Sequence, residues 1–304
     1  MAITFVGVGA PSASASGDKT VALPAATQTD DILLIICGSY GSSALSCSGY
    51  TKKAEYIESN AHVTVFWKRH DGSESSALVT GAADSIVCLM VAFRGVDTGA
   101  DPWDAYDAGE ANGTGLVVST PALTTSTNGA MAIGAGSSSD NHIYDPASTT
   151  YGNTSAPQGS GYANTILGSD CAVFWLYGVQ SVAGDVGTLT ATQSNRAAAQ
   201  WVSTIGALKP AEAAVTFDLT IACSVADEGA AAWTQPDITG YSSTGSDVGD
   251  TVTISGTGFG TDGIVRFGTT AANVTSWADT LIRVVIPDVA DASYTVTVAP
   301  SGEY

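Results

Sequence analysis

Short apolar runs separated by Gly, Ser, Asn and Pro set the pattern of this chain. Ile32-Leu33-Leu34-Ile35-Ile36 follows Thr29-Asp30-Asp31 as a continuous apolar stretch, which predicts a strand covered on both faces. Ser85 to Phe93 has the same character and predicts a central strand. His62 to Trp67 alternates instead, with Val63, Val65 and Trp67 on one face and His62, Thr64 and Phe66 on the other. Further strands are predicted over Leu116 to Thr120, Ala130 to Ala135, Ala172 to Tyr177, Gly187 to Thr192 and Ala198 to Leu208. About nine to eleven strands with long loops and no βαβ spacing predict an all-β, jelly-roll-like sandwich over residues 1–210. Ser137 to Asp170 shows little periodicity and reads as a long loop that contacts something or carries minor hairpins.

Past Lys209-Pro210-Ala211 the pattern loosens, so residues 211–234 read as a connecting strand and linker. It tightens again over residues 235–304. Thr251-Val252-Thr253-Ile254-Ser255 alternates strictly, Ile264 to Phe267 follows a Gly-rich turn, Leu281 to Ile286 stops at Pro287, and Tyr294 to Val298 closes the set. Close-spaced short strands of this kind predict a second, small β-sandwich.

Composition supports the all-β reading. Charged residues are 13% of the chain and Gly is 34 of 304, a mixture that disfavours long surface helices. Six Trp, eleven Tyr and seven Phe supply enough apolar area to offset the entropy of ordering. The formal net charge of −19, with no basic run longer than a pair, removes nucleic acid and anionic membrane as expected partners. Met1 to Val6 lacks the layout of a secretory signal, and the apolar runs are too short to span a bilayer. Cys37, Cys47, Cys88, Cys171 and Cys223 form no CxxC pair; they read as buried thiols made in a reducing cytoplasm, with a Cys37–Cys47 bridge as the alternative.

Residues 235–304 closely resemble the IPT/TIG family of immunoglobulin-like domains. The carriers are Pro236-Asp237-Ile238, Gly249 to Gly260, Val265-Arg266-Phe267-Gly268, Val274-Thr275-Ser276-Trp277 and Ile282 to Pro287. The residues fit that implied fold: Gly256, Gly258 and Gly260 suit positive-φ turns, Phe259 covers one end of the core, and Val252 and Ile254 face inward. The first 210 residues resemble β-rich domains of tailed-phage virion proteins, through Asp30 to Leu34, Phe66 to Arg69, Ala92 to Asp97, Pro102-Trp103-Asp104, Thr120-Pro121-Ala122 and Ala207 to Pro210. That resemblance supplies no catalytic residues.

Asp97, Asp101, Asp104, Asp107 and Glu110, interleaved with Trp103 and Tyr106, form the sharpest acidic cluster. The spacing lacks the ligand order of a calcium loop, and a glycosidase pair would need one acid with raised proton affinity, which nothing here identifies. Aromatic rings beside carboxylates suit sugar stacking or a subunit contact, so Asp101, Trp103, Asp104, Tyr106, Tyr144 and Tyr151 are the candidate glycan or subunit contacts. No catalytic residue, metal ligand or cofactor site is expected: His62, His70 and His142 have no zinc spacing and there is no Gly-x-Ser-x-Gly turn.

The expectation is a non-enzymatic structural component of a bacteriophage virion, made in the host cytoplasm and placed on the outer particle surface as a capsid decoration protein. Its partners would be other virion proteins and copies of itself, gaining strength by avidity. The alternatives are a tail or head-fibre adhesin binding host-surface glycan, and a carbohydrate-active enzyme with an accessory IPT/TIG module.

Overall fold

The computed structural model describes residues 2–106, 109–141, 143–150, 155–164, 170–194, 199–211, 217–219, 237–243, 248–288 and 294–300. Every helix or strand among them is a β-strand. Two compact units divide the chain, Met1–Glu212 and Ala213–Tyr304.

The first unit is built on two antiparallel sheets. One contains β1 (Thr4–Val8), β2 (Ile32–Tyr40), β3 (Thr51–Glu58), β4 (Ala61–Arg69) and β5 (Ile86–Arg94), in the order β1-β5-β2-β4-β3. The other contains β6 (Trp103–Tyr106), β7 (Ala111–Gly115), β8 (Ala130–Ser138), β9 (Ser155–Asn164), β10 (Cys171–Gln180) and β11 (Ala199–Leu208). Its order is β6-β11-β8-β10-β9, with β7 also paired to β11. Alternation assigns the faces. Ile32, Leu34 and Ile36 of β2 meet Met131, Ile133 and Ala135 of β8 and Val173, Trp175 and Tyr177 of β10 in the core between the sheets.

The odd-numbered partners Leu33, Ile35 and Cys37 point the other way and are buried too, with Cys47, Ala77 and Val79 from a small sheet of Lys19–Ala22, Ser46–Cys47 and Ser76–Thr80. Phe174, Leu176, Ile205 and Ala207 on the outer face of the second sheet are covered by Val118, Leu123, Val186 and Leu189 from Val117–Ser119, Leu123–Thr125, Gly184–Gly187 and Leu189 itself. These covering strands explain the continuous apolar runs: a strand with packing on both faces has no polar face to alternate with. They also raise the strand number well above the sequence expectation, because strands of two to five residues rich in Ser, Thr and Gly leave little periodicity.

Ser137 to Asp170 is more regular than the expected loop with minor hairpins: it contains the end of β8, the strand Ile143–Thr150 paired to Thr190–Ser194, and β9 paired to β10. Backbone pairing decided this segment, where Gly, Ser and Thr gave no side-chain pattern to read.

The second unit contains the sheet β12 (Asp237–Ser243), β13 (Thr251–Thr257), β16 (Leu281–Val285) and β15 (Asn273–Ala278), in that order. Opposite it, β14 (Gly263–Phe267) pairs with β17 (Tyr294–Pro300) and Thr270–Ala271, and Phe217–Leu219 pairs parallel to β17. Val252, Ile254, Phe259, Val265, Phe267, Ile282, Val284 and Val298 fill its core. Gly258 and Gly260 take positive φ, at 75° and 68°. Gly256 answers a different need: a Cβ there would lie 2.1 Å from the Asp237 carbonyl oxygen and 2.5 Å from Phe259 Cζ, so its small size admits the ring.

Candidate functional site

The Trp103 region is made by two edge strands, each carrying one extra residue. On β6 the register with β11 shifts between Trp103 and Ala105, leaving Asp104 outside the regular pairing. On β3 the register with β4 shifts between Lys52 and Ala54, leaving Lys53 as the extra residue. A bulge bends its strand and re-aims the inserted side chain. Lys53 Nζ consequently stands 5.2 Å from the centre of the Trp103 ring and 4.9 Å from that of Tyr106.

The two rings meet edge to face, with centroids 5.1 Å apart and planes at 85°. Gly206 of β11 lies beneath both: a Cβ there would come 2.4 Å from Tyr106 Cδ2 and 2.7 Å from Trp103 Cζ3. Both aromatic side chains are half-buried and pack on the inter-sheet core. Thr204 Oγ1 lies 3.3 Å from Tyr106 Oη, while Trp103 Nε1 is buried with no hydrogen-bond partner among the described residues.

The carboxylates of the cluster each serve their own turn. Asp97 accepts from Gly99 N–H at 3.0 Å and pairs with Lys209 at 3.1 Å, and these two contacts hold its carboxyl below the ordinary value. Asp101 Oδ1 accepts from Trp103 N–H at 3.2 Å. Asp104 accepts from the Ser126 N–H at 2.7 Å and Ser126 Oγ–H at 2.8 Å. Burial alone would raise its proton affinity, but hydrogen bonds from Thr127 and Ser126 outweigh that and hold it low. Glu110 Oε1 accepts from Asn112 Nδ2 at 2.9 Å. The acids therefore face separate partners, and among the described residues no His, Cys, Asp and Glu group could hold a metal ion.

Of the six candidate contact residues, the structure brings together Trp103 and Tyr106, with Asp101 and Asp104 at the same strand. Tyr144 lies on Ile143–Thr150, opposite Gln193, and Tyr151 and Asp107 lie outside the described residues. Lys53 and Gly206 were missed by sequence reasoning. The doubled Lys52-Lys53 at the head of a strand was the one available signal of the bulge.

A second buried polar group lies on the outer face of the first sheet. Ser39 Oγ is 3.0 Å from His62 Nδ1, and His62 Nε2 is 3.1 Å from Thr64 Oγ1 and 3.4 Å from Glu55 Oε1. Glu55 also accepts from Leu45 N–H at 3.0 Å and from Lys52 Nζ at 2.7 Å. The order serine, histidine, carboxylate is that of a hydrolase relay, yet Ser39 is only 3% exposed and sits within β2, paired on both sides. The arrangement satisfies a buried imidazole and offers no approach for a substrate.

Residues 236–304 match the IPT/TIG domain family. The C-terminal region is also similar to curated cyclomaltodextrin glucanotransferases: 59% identical over 58 residues to that of Niallia circulans, 54% over 55 residues to that of Geobacillus stearothermophilus and 44% over 54 residues to that of Thermoanaerobacterium thermosulfurigenes. These alignments cover 17–18% of this chain and 8% of each relative, so the chain spans under a tenth of the relatives it matches. No solved structure matches the chain.

The class is thereby defined: an all-β protein ending in an IPT/TIG domain. The expectation of a phage capsid decoration protein is corrected by the same comparisons. The matched relatives are carbohydrate enzymes, and nothing among them is a virion protein. The misreading came from weighting the β-rich, charge-poor pattern of the first 210 residues, which many extracellular and virion sandwiches share for reasons of packing alone.

Proposed function

We propose that this chain serves carbohydrate-active chemistry, with its IPT/TIG unit as an accessory module and its N-terminal sandwich as the carbohydrate-facing part. The observation that carries this reading is the 44–59% identity of the C-terminal region to the cyclomaltodextrin glucanotransferases. The names of those relatives point to maltodextrin-type glucans as the substrate class to try first. Among the described carboxylates with a resolved shift, Glu55, Asp71, Glu74, Asp97 and Asp104 all have lowered proton affinity. None of these five has the raised value that a general acid for glycosidic cleavage needs.

The test pairs two readouts on the full chain. Native electrophoresis through gels containing soluble starch measures retention, and chromatography of maltodextrin incubated with the protein measures cyclised, transferred or hydrolysed product. Retention that soluble maltodextrin reverses is the expected result, and product formation would place turnover in this chain as well. Unretarded migration with unchanged maltodextrin rejects the proposal for this class of glucan.

A further inference from the structure

Three cysteines share one buried cluster on the outer face of the first sheet, away from the Trp103 region. Cys37 lies in β2 and Cys88 in β5, directly opposite each other in the ladder, and Cys47 reaches the same cluster from the covering strand Ser46–Cys47. The kind of pair follows from hydrogen bonds at the end of the ladder. Tyr40 N–H donates to the Ser85 carbonyl at 2.8 Å, which makes Tyr40 and Ser85 a hydrogen-bonded pair. Hydrogen-bonded and non-hydrogen-bonded pairs alternate along an antiparallel ladder. Three positions back, the parity is reversed, and Cys37–Cys88 is a non-hydrogen-bonded pair. The opposite side of β2 agrees, since Gly41 N–H donates to the Asn60 carbonyl in the ladder with β4.

Non-hydrogen-bonded pairs hold their Cα atoms about 4.5 Å apart with side chains close, inside the roughly 4.4–6.8 Å span that a disulfide bridges. Cys37, Cys88 and Cys47 are all free thiols as they stand. Cys37 and Cys88 also belong to the same buried cluster on this face. Cys37 and Cys88 are fully buried, whereas Cys47 is 6% exposed and so stands nearest solvent.

We propose that Cys37 and Cys88 are an oxidisable pair, with Cys47 as the thiol through which a low-molecular-weight disulfide reaches them. The Cys47 thiolate attacks the oxidant RSSR, forming a mixed disulfide and releasing one thiolate RS⁻. The Cys88 thiolate then attacks the Cys47 sulfur and expels the second RS⁻. Finally the Cys37 thiolate attacks the Cys88 sulfur and returns Cys47 as a thiolate, which regains a proton. Overall, Cys37 and Cys88 lose two protons and two electrons to form one S–S bond, and RSSR becomes two RSH. Burial pushes the Cys37 thiol well above its ordinary value and Cys47 up to about 11, so the exchange is slow at neutral pH and accelerates in alkali.

The full-length chain treated with glutathione disulfide at mildly alkaline pH tests this, read by intact mass and by non-reducing peptide mapping over time. The expected result is a transient glutathione adduct on Cys47, then loss of two hydrogens with Cys37 and Cys88 in one cross-linked peptide and Cys171 unmodified. Cys47→Ser should slow bridge formation about tenfold or more. If that variant does not fold, the order of appearance in the wild-type chain decides. A stable adduct, a final bridge that includes Cys47, or an unchanged mass in the folded chain overturns the proposal.

Discussion

Gly206 and His62 show how single residues set local chemistry. Gly206 is the floor on which Trp103 and Tyr106 rest, and a methyl group there has nowhere to go. Gly206→Ala should destabilise the first unit by about 1–3 kcal/mol through forced movement of both rings, checked by the denaturant midpoint. His62 stays neutral because burial lowers its proton affinity from the ordinary 6.5, with Glu55 opposing that only in part. As pH falls below 6.5, the unfolded chain takes up a proton that the folded chain resists, so stability declines as pH approaches the folded-state value. Glu55 behaves in the same sense lower down. Burial would raise its proton affinity, but Lys52 and the Leu45 N–H outweigh this, so its contribution is present above 4.5 and is lost as pH falls through the folded-state value. Urea midpoints measured against pH should therefore fall in two stages, and His62→Gln should remove the upper one. A midpoint independent of pH just below 6.5 in the wild-type chain contradicts this assignment.

At the level of elements, strand edges carry the interest. β3 ends its sheet, and an exposed edge invites pairing with another chain. The bulge at Lys53 breaks the regular edge and turns a cation onto the rings of β6. Lys53→Ala should cost about 0.5–1 kcal/mol in the denaturant midpoint from the lost cation–π contacts. It should also increase light scattering on concentration, because the edge loses its charged guard; the matched variant Lys53→Arg should restore both properties. Much of this was hidden in the sequence for a physical reason. Alternation shows which face a residue takes in a regular strand, and a bulge is a break in that alternation. The apolar character of β2 and β5 was legible because both faces are packed, while Ile143–Thr150 and β9 were illegible because their polar, small residues are ordered by backbone pairing.

At the scale of the whole molecule, each unit has buried apolar clusters of its own, which implies two unfolding events. Val252, Ile254, Ile282 and Val284 share one cluster within the second unit, and none of its members belongs to the first. Ile254→Ala, at a fully buried position, should lower the transition of the IPT/TIG unit by about 2–5 kcal/mol and leave that of the N-terminal unit in place, as scanning calorimetry will show. The net charge of −19 acts at this scale as well: it repels polyanions and does not oppose the neutral glucans proposed as ligands.

Sequence alone determined the all-β class, the two-face burial of Ile32 to Ile36 and Ile86 to Phe93, and the IPT/TIG character of the C-terminal region. Each of these is written in neighbouring residues, as a run, an alternation or a spaced motif. The tertiary structure decided what depends on distant strands meeting: Lys53 over Trp103 and Tyr106, Glu55 beside His62, and Cys37 opposite Cys88 in place of Cys47. Side-chain chemistry of this kind is fixed by register and by which edges face each other, and a one-residue shift in either ladder would disperse it.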